Sequence, residues 1–412
     1  MPAAIWVGLL VGGVLAGAAV CAALVLPRGR DLFAVAAAVV FLALSGASLT
    51  AIARMTGRPD AVIVSGFIAT AATLGGFSLG AALVPSLARP LPGPTRPELG
   101  EDIGRIAVVL LAEGEPEAYD PSLLTAAFAD LEETDVPVPP EAARMFVYLS
   151  EKARYASVGG SPARAAARTV ADILGARLHA TRDDVDVRPA WLDPPQRLDD
   201  VVSAAAGEGY RRIAVVPFGI ADSLYLDRAK RSVDDLSLAA DGVRVAYAAP
   251  LWSSSGVARA VADRVLASVP APDRGTTGVV LVGHGQPWQW DREYPAGSEH
   301  ETYFAQRVRA LLLEEGFGPE LVRIGWLDWQ DPGVSEAVRH LVAFGCRRVV
   351  VVPAAMPVET LGTLIDLKGS AEEAVLGTHV RLDVLPAWGD HPDVAAALAE
   401  SARSAIEETA GA

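Results

Sequence analysis

The chain has 412 residues, room for two or three domains of ordinary size, and a net charge of −15. The charge is uneven: residues 1–100 hold six Arg, no Lys and three acids, a net +3, so residues 101–412 carry −18. So acidic a body excludes a grip on nucleic acid, which needs clustered Lys and Arg, and only two Cys exclude a disulfide framework or a Cys-only metal site.

Three apolar runs open the chain, at 3–26, 32–53 and 61–84, and none contains a charged residue. Each exceeds the roughly 20 residues that a helix needs to cross a bilayer at about 1.5 Å per residue. Residues 1–88 are therefore expected to be a membrane anchor of three transmembrane helices. The first run is too long for a signal-peptide core, has no basic residue before it and is followed by two more spans. Gly8, Gly12, Gly13 and Gly17 form two small-xxx-small pairs in the first run, a pattern that favours close helix packing. Arg28, Arg30, Arg89 and Arg96 lie on one side of the membrane and Arg54 and Arg58 on the other. The positive-inside rule then places the N-terminus outside and the C-terminal body in the cytoplasm. Residues 89–100 read as a stiff, Pro-rich linker.

From residue 106 onward short β-branched runs alternate with Ala-rich amphipathic stretches, the pattern of a parallel α/β sheet. Strands are expected at 106–112, 213–217, 243–248, 279–283, 349–353 and 380–385. Each is a near-continuous apolar run, as strands covered on both faces require. The chain also repeats itself. Gly209-Tyr-Arg-Arg-Ile-Ala-Val-Val-Pro217 matches Gly345-Cys-Arg-Arg-Val-Val-Val-Val-Pro353, and the segments that follow correspond at an offset of 137 residues. Leu111-Ala-Glu-Gly-Glu-Pro116 parallels Val282-Gly-His-Gly-Gln-Pro287. The expected fold is thus α/β with two pseudo-symmetric Rossmann-like lobes, 101–270 and 271–412, preceded by the three membrane helices. Ligands in such sheets bind beyond the carboxyl ends of the strands, and a cleft between the lobes is the default site.

His284 lies just beyond one strand end, between Gly283 and Gly285. An imidazole there can take a proton or bind a metal, because its pKa is near neutrality. Glu113 occupies the equivalent place in the first lobe, and a carboxylate opposite an imidazole suits a hard or borderline cation. Its alternative is a solvated loop acid. Glu359 follows another strand end and is expected in the first turn of a helix reaching Asp366. The helix dipole alone accounts for an acid there, so functional and capping readings both stand. The segment Glu299-His300-Glu301 reads as a solvated helix start, with metal ligation as its alternative, and Asp390-His391-Pro392 as a helix N-terminus capped by the Asp. No nucleophile elbow, phosphate-binding loop or dinucleotide-binding Gly pattern occurs.

These motifs, in this order, resemble the ferrochelatase family over 101–412. The opening Leu110-Leu-Ala-Glu-Gly-Glu-Pro116, Gly159-Gly-Ser-Pro162, Val216-Pro-Phe-Gly-Ile-Ala-Asp-Ser223, Val282-Gly-His-Gly-Gln-Pro287 and Asp390-His-Pro392 all have family counterparts. The resemblance implies a two-lobed, chelatase-like fold that inserts ferrous iron into a porphyrin, with the metal as substrate and no tightly bound cofactor. It implies that His284 handles the pyrrole protons, the metal or both; with Glu359 as a substitute acid the expected catalytic residues are His284 and Glu359, and the expected metal contacts are His284, Glu359 and, from the internal repeat, Glu113. The expected partners are a porphyrin or related tetrapyrrole, a divalent metal ion and the lipid bilayer, without nucleic acid. The chain departs from the family where the second acid is expected. That stretch reads Thr360-Leu-Gly-Thr-Leu-Ile-Asp366, so Gly362 holds the acid's place. A non-catalytic tetrapyrrole- or metal-binding protein descended from a chelatase is the alternative function.

Overall fold

A computed structural model describes residues 3–27, 29–86, 93 and 95–411. Arg28, Arg89 and residues 90–92 and 94 of the Pro-rich stretch lie outside the described residues. Contacts divide the chain into two units: the residues before 92 together with 118–160, and 92–117 together with 161–412. The expected first lobe is therefore interrupted, because 118–160 belongs with the apolar helices.

The first unit is built on α1 (Ala3–Val25), α2 (Asp31–Thr56) and α3 (Pro59–Ser86). All three are long and apolar enough to cross a bilayer. The glycines of α1 serve its two neighbours in turn. A Cβ on Gly8 or Gly12 would meet α2, at Ser48 Oγ (2.6 Å) and Phe41 O (3.2 Å). A Cβ on Gly13 or Gly17 would meet α3, at Ala72 Cβ (2.9 Å) and Thr73 O (1.9 Å). Each small-xxx-small pair is thus one intramolecular packing face. Gly17→Val is expected to destabilise the bundle by about 1–3 kcal/mol, the usual cost of overpacking. Thermal unfolding in detergent checks this, with Gly46→Val, whose Cβ meets open space, as the neutral control.

Two further helices complete this unit, α4 (Pro121–Glu133) and α5 (Glu141–Val158). Asp120 caps α4 by accepting the Ser122 N–H, with Pro at the first helical position. Gly159, at φ +89°, ends α5. Phe128, Met145 and Tyr148 pack on Cys21 and Val25 of α1 and Ala81 of α3.

The second unit holds two four-stranded parallel sheets of identical topology. The first is ordered β2-β1-β3-β4, from β1 (Ile106–Ala112), β2 (Val185–Trp191), β3 (Arg212–Pro217) and β4 (Arg244–Tyr247). The second is ordered β6-β5-β7-β8, from β5 (Thr277–Gly283), β6 (Val322–Trp326), β7 (Arg348–Val352) and β8 (Arg381–Val384). The duplication read from sequence is a duplication of fold. In β1 every residue is buried: Ile106, Val108 and Leu110 face one core, Ala107, Val109 and Leu111 the other. That is the period-2 geometry of a strand covered on both sides.

Helices α6 (Ala163–His179), α7 (Leu198–Gly207) and α8 (Leu224–Asp234) dress the first sheet. Helices α10 (Trp288–Glu293), α11 (Ala296–Glu314), α12 (Val334–Ala343) and α13 (Lys368–Ala374) belong to the second. The closing helices are exchanged. α9 (Ser255–Ser268), which follows β4, packs on α11. α14 (Pro392–Gly411), which follows β8, packs on β3, β4 and α6. Arg212 Nε reaches Thr409 Oγ1 at 3.0 Å, and Arg244 donates to the Thr409 carbonyl, so two first-lobe arginines hold the end of α14. One continuous core runs through both lobes as a result.

Candidate active site

At the carboxyl end of β5 the backbone is too crowded for anything but glycine. A Cβ on Gly283 would stand 2.5 Å from the Trp326 ring and 2.9 Å from Glu301 Oε2. Gly285 has φ +84°, and a Cβ there would stand 2.2 Å from the Asp328 carbonyl. Between them His284 is partly buried. Its Nδ1 lies 2.9 Å from the Gly285 carbonyl. A carbonyl only accepts, so Nδ1 carries the proton and Nε2 keeps its lone pair. The loop is fixed further by Gln286, whose Nε2 donates to Asp291 Oδ1 (2.7 Å) and the Tyr294 carbonyl (2.8 Å). Gln330, from the loop after β6, donates to the Gln286 carbonyl at 2.8 Å.

The acid that holds the backbone of this loop is Glu301. Its Oε2 accepts the Gly285 N–H at 3.1 Å and takes a backbone bond from His284 as well. Burial pushes its carboxyl above the usual range, more than His284 and the backbone donors pull it down. The expected solvated helix start at 299–301 is thus corrected. Only Glu299 is exposed. His300 stacks on Trp252 (4.4 Å between centroids) and accepts the Asp222 N–H through Nδ1 at 3.3 Å. Burial holds its pKa below the ordinary value, in keeping with a neutral structural imidazole.

Glu113 is exposed beyond β1, and its charge acts on His284 from the other lobe. Burial alone would lower the His284 pKa, but Glu113, then Glu301, the Gly285 carbonyl and Asp328 together raise it. The structure therefore brings His284, Glu113 and Glu301 into one electrostatic group. The Glu113 loop is held by Arg164, only 4% exposed, which donates to the carbonyls of Gly114 (2.8 Å), Pro194 (2.7 Å) and Asp193 (3.1 Å). Gly114 meets Trp191 as Gly283 meets Trp326, so both lobes pack a strand-tip glycine on a tryptophan.

Glu359 is placed differently from the expectation. It precedes its helix, because Thr360 is the cap: Thr360 Oγ1 accepts the Thr363 N–H, and Thr363 Oγ1 accepts the Thr360 N–H. Glu359 Oε1 accepts the Ala387 N–H at 2.7 Å and Oε2 accepts the Thr363 hydroxyl at 2.7 Å. Both oxygens thus hold local backbone and side-chain groups. Residues Gly362–Leu367 form a π-helical turn, a geometry common at functional sites. The first lobe reaches it through Glu115, whose Oε2 accepts the Leu361 N–H at 2.9 Å. At the end of β8 it is His391 Nδ1 that caps α14, at Asp393 N, while Asp390 pairs with Arg264. Among the described residues no three His, Cys, Asp or Glu side chains stand close enough to hold a metal ion. His284, Glu359 and Glu113 are therefore not gathered as a ready-made set. An open groove along β6, lined by Arg309, Arg323, Glu336 and His340, contains none of these residues.

The ferrochelatase family profile matches residues 105–406. The chain belongs to the ferrochelatase family. Membership places it among the tetrapyrrole metal chelatases. A ferrochelatase of Synechocystis sp. is 27% identical over 335 residues, covering 74% of this chain and 84% of that protein. A ferrochelatase of Gloeothece citriformis is 23% identical over 331 residues, with the same coverage of both chains. Among solved structures, SirB from Bacillus subtilis with Fe3+ aligns with 74% of this chain and 98% of its own, at 16% identity and a TM-score of 0.45.

Sequence reasoning missed Arg164 and set Glu301 aside as part of a helix start. The signal for Glu301 was Ala296-Gly297-Ser298, three small residues before it. A Cβ on Gly297 would meet Gln286 Oε1 at 2.3 Å, so this helix start is pressed onto the His284 loop.

Proposed function

We propose that this family member inserts ferrous iron into a porphyrin, with His284 as the proton acceptor. The observation that supports it most is that His284, at the tip of β5 with Nδ1 on the Gly285 carbonyl, feels the charge of carboxylates from both lobes. Insertion converts a macrocycle bearing two pyrrole N–H groups and M2+ into the metallated ring and two protons. A base beside the ring takes the first proton, and a second acceptor takes the other or passes the first to solvent. Glu301 supplies that second acceptor in this reading, and Glu113, opposite, meets the incoming cation together with His284. Glu359 keeps the role of anchoring the helix at 361. The metal is substrate, and no resident cofactor is invoked. The three apolar helices hold the enzyme in the membrane, with the chelatase body in the cytoplasm, where a poorly soluble macrocycle arrives from the bilayer.

The test is anaerobic mixing of the purified full chain with Fe2+, Co2+ or Zn2+ and a panel of porphyrins and sirohydrochlorin, followed by absorbance. Insertion of Fe2+ into a porphyrin supports the reading, and the fastest pair names the substrate. Gly362 favours the second reading, a carrier that keeps the cleft without an acid at that position. Tight binding with no insertion across the panel would establish the carrier.

The charges around His284 also fix a pH response. The raised pKa moves the acid limb of kcat/KM to higher pH than an ordinary imidazole gives, since only the neutral ring accepts a proton. Glu113→Gln removes the largest of the raising causes. The His284 pKa then falls, and the acid limb is expected to move to lower pH in a pH–rate profile.

A further inference from the structure

Helix α5 is inside out for a helix facing water. Its exposed positions after the first turn are Phe146, Leu149, Ser150, Ala153, Ala156, Ser157 and Val158, with no charge among them, and Phe146 is 66% exposed. Beyond Glu141 in the first turn, its charged residues are turned aside into ion pairs: Arg144 with Glu132, Arg154 with Glu151 (2.6 Å), and Lys152 with Asp31 (2.9 Å). A water-facing amphipathic helix has the opposite arrangement.

The position of α5 along the bundle says what medium meets this face. Lys152 Nζ bonds the Ala23 carbonyl (3.1 Å) in the last turn of α1 as well as Asp31 at the start of α2. α5 thus lies beside the turn between the first two helices, at one end of the apolar bundle. Leu32 and Phe33, directly after Asp31, are 70% and 80% exposed. A bilayer deep enough to cover Leu32 and Phe33 ends at the level of Lys152, and the uncharged face of α5 continues the surface it covers.

We propose that α5 is an interfacial helix whose Phe146–Leu149–Ala153 face lies in the boundary between headgroups and acyl chains of the bilayer holding α1–α3. Lys152 is the pin that keeps the helix at that depth. The proposal rests on the membrane-spanning reading of α1–α3, and its test separates the two.

The full chain, with Cys21→Ala and Cys346→Ala, carries one environment-sensitive fluorophore at a time in phosphatidylcholine–phosphatidylglycerol vesicles. The labelled variants are Phe146→Cys, Val39→Cys on the exposed middle of α2, and Thr169→Cys on the exposed face of α6. At 146 the emission shifts to the blue and is lost to lipids brominated near the glycerol, about 5–10 Å below the surface, but not to aqueous iodide. At 39 it is lost to lipids brominated deep in the chains, and at 169 to iodide alone. Loss to iodide at 146, with 39 still quenched by lipid, overturns the interfacial role and leaves the spans intact. Protection at 146 from both iodide and brominated lipid also overturns it, and shows a protein surface covering the face. A label at 39 that no lipid quenches overturns the spanning reading, and the proposal with it.

Discussion

His284→Ala lowers kcat for metal insertion by about a thousandfold, within the range that one positioned general base contributes. The side chain makes one hydrogen bond, to the Gly285 carbonyl, so its loss leaves the loop standing on Gln286, Gln330 and Glu301. Thermal unfolding of the variant should therefore stay close to the parent while turnover collapses. Macrocycle binding, followed by fluorescence quenching, should persist, because the acceptor acts on the protons and not on the ring as a whole. A variant that binds the ring normally and still inserts metal at the parental rate would remove His284 from the mechanism.

Glu301→Gln reduces kcat by about a hundredfold, at the low end of what a general acid–base group contributes. Glutamine keeps an oxygen to accept the Gly285 N–H, so the loop geometry survives and the negative charge is lost. Two readouts follow from the charge alone. The acid limb of the pH–rate profile moves to lower pH, because Glu301 raises the His284 pKa. The dependence on metal concentration changes little, because Glu301 is tied to the backbone of the His284 loop, whereas Glu113 is the exposed acid. An unchanged pH profile with a lowered unfolding temperature would reduce Glu301 to a packing residue. Gly362→Glu offers a complement: a Cβ there stands 3.2 Å from Leu327 Cδ2 and 4.0 Å from Asp366 Oδ2, so an acid fits with a small adjustment. Restored turnover in the Glu301→Gln, Gly362→Glu double variant would show that the two positions serve one role.

The fold was legible wherever burial on both faces left a continuous apolar run, as in β1, β3, β5 and β7. β2 and β6 were not among the expected strands, and for β2 the reason is its composition at an edge. It is an edge strand, its middle is only half buried, and it carries Asp186, Arg188 and Pro189. An edge tolerates a missing donor and charged side chains, which erase the signal. The His284 loop was visible because two glycines around a histidine at a strand tip are a local pattern. Its acid was not, since Glu301 reaches Gly285 only through the packing of α11 on the loop. Glu359 shows the converse error. It stood at the right distance along the chain, but the reciprocal bonds of Thr360 and Thr363 start the helix one residue later and turn the carboxylate to Ala387. The segment 118–160 reads locally as ordinary amphipathic helices, and nothing local tells that its apolar stripe matches Cys21, Val25 and Ala81.

The exchange of α9 and α14 constrains how a rigid, flat macrocycle can come and go. Each sheet is roofed by a helix whose chain belongs to the other half, so swinging the halves apart would strip Val261 and Val265 as well as Leu398 and Ile406 from the common core. Exposing four such side chains costs on the order of 6–12 kcal/mol, comparable to the whole stability of an ordinary domain. The body therefore behaves as a fixed frame. Passage of the ring falls to what lies outside that frame, the loops at the strand tips and the π-helical turn at Gly362–Leu367.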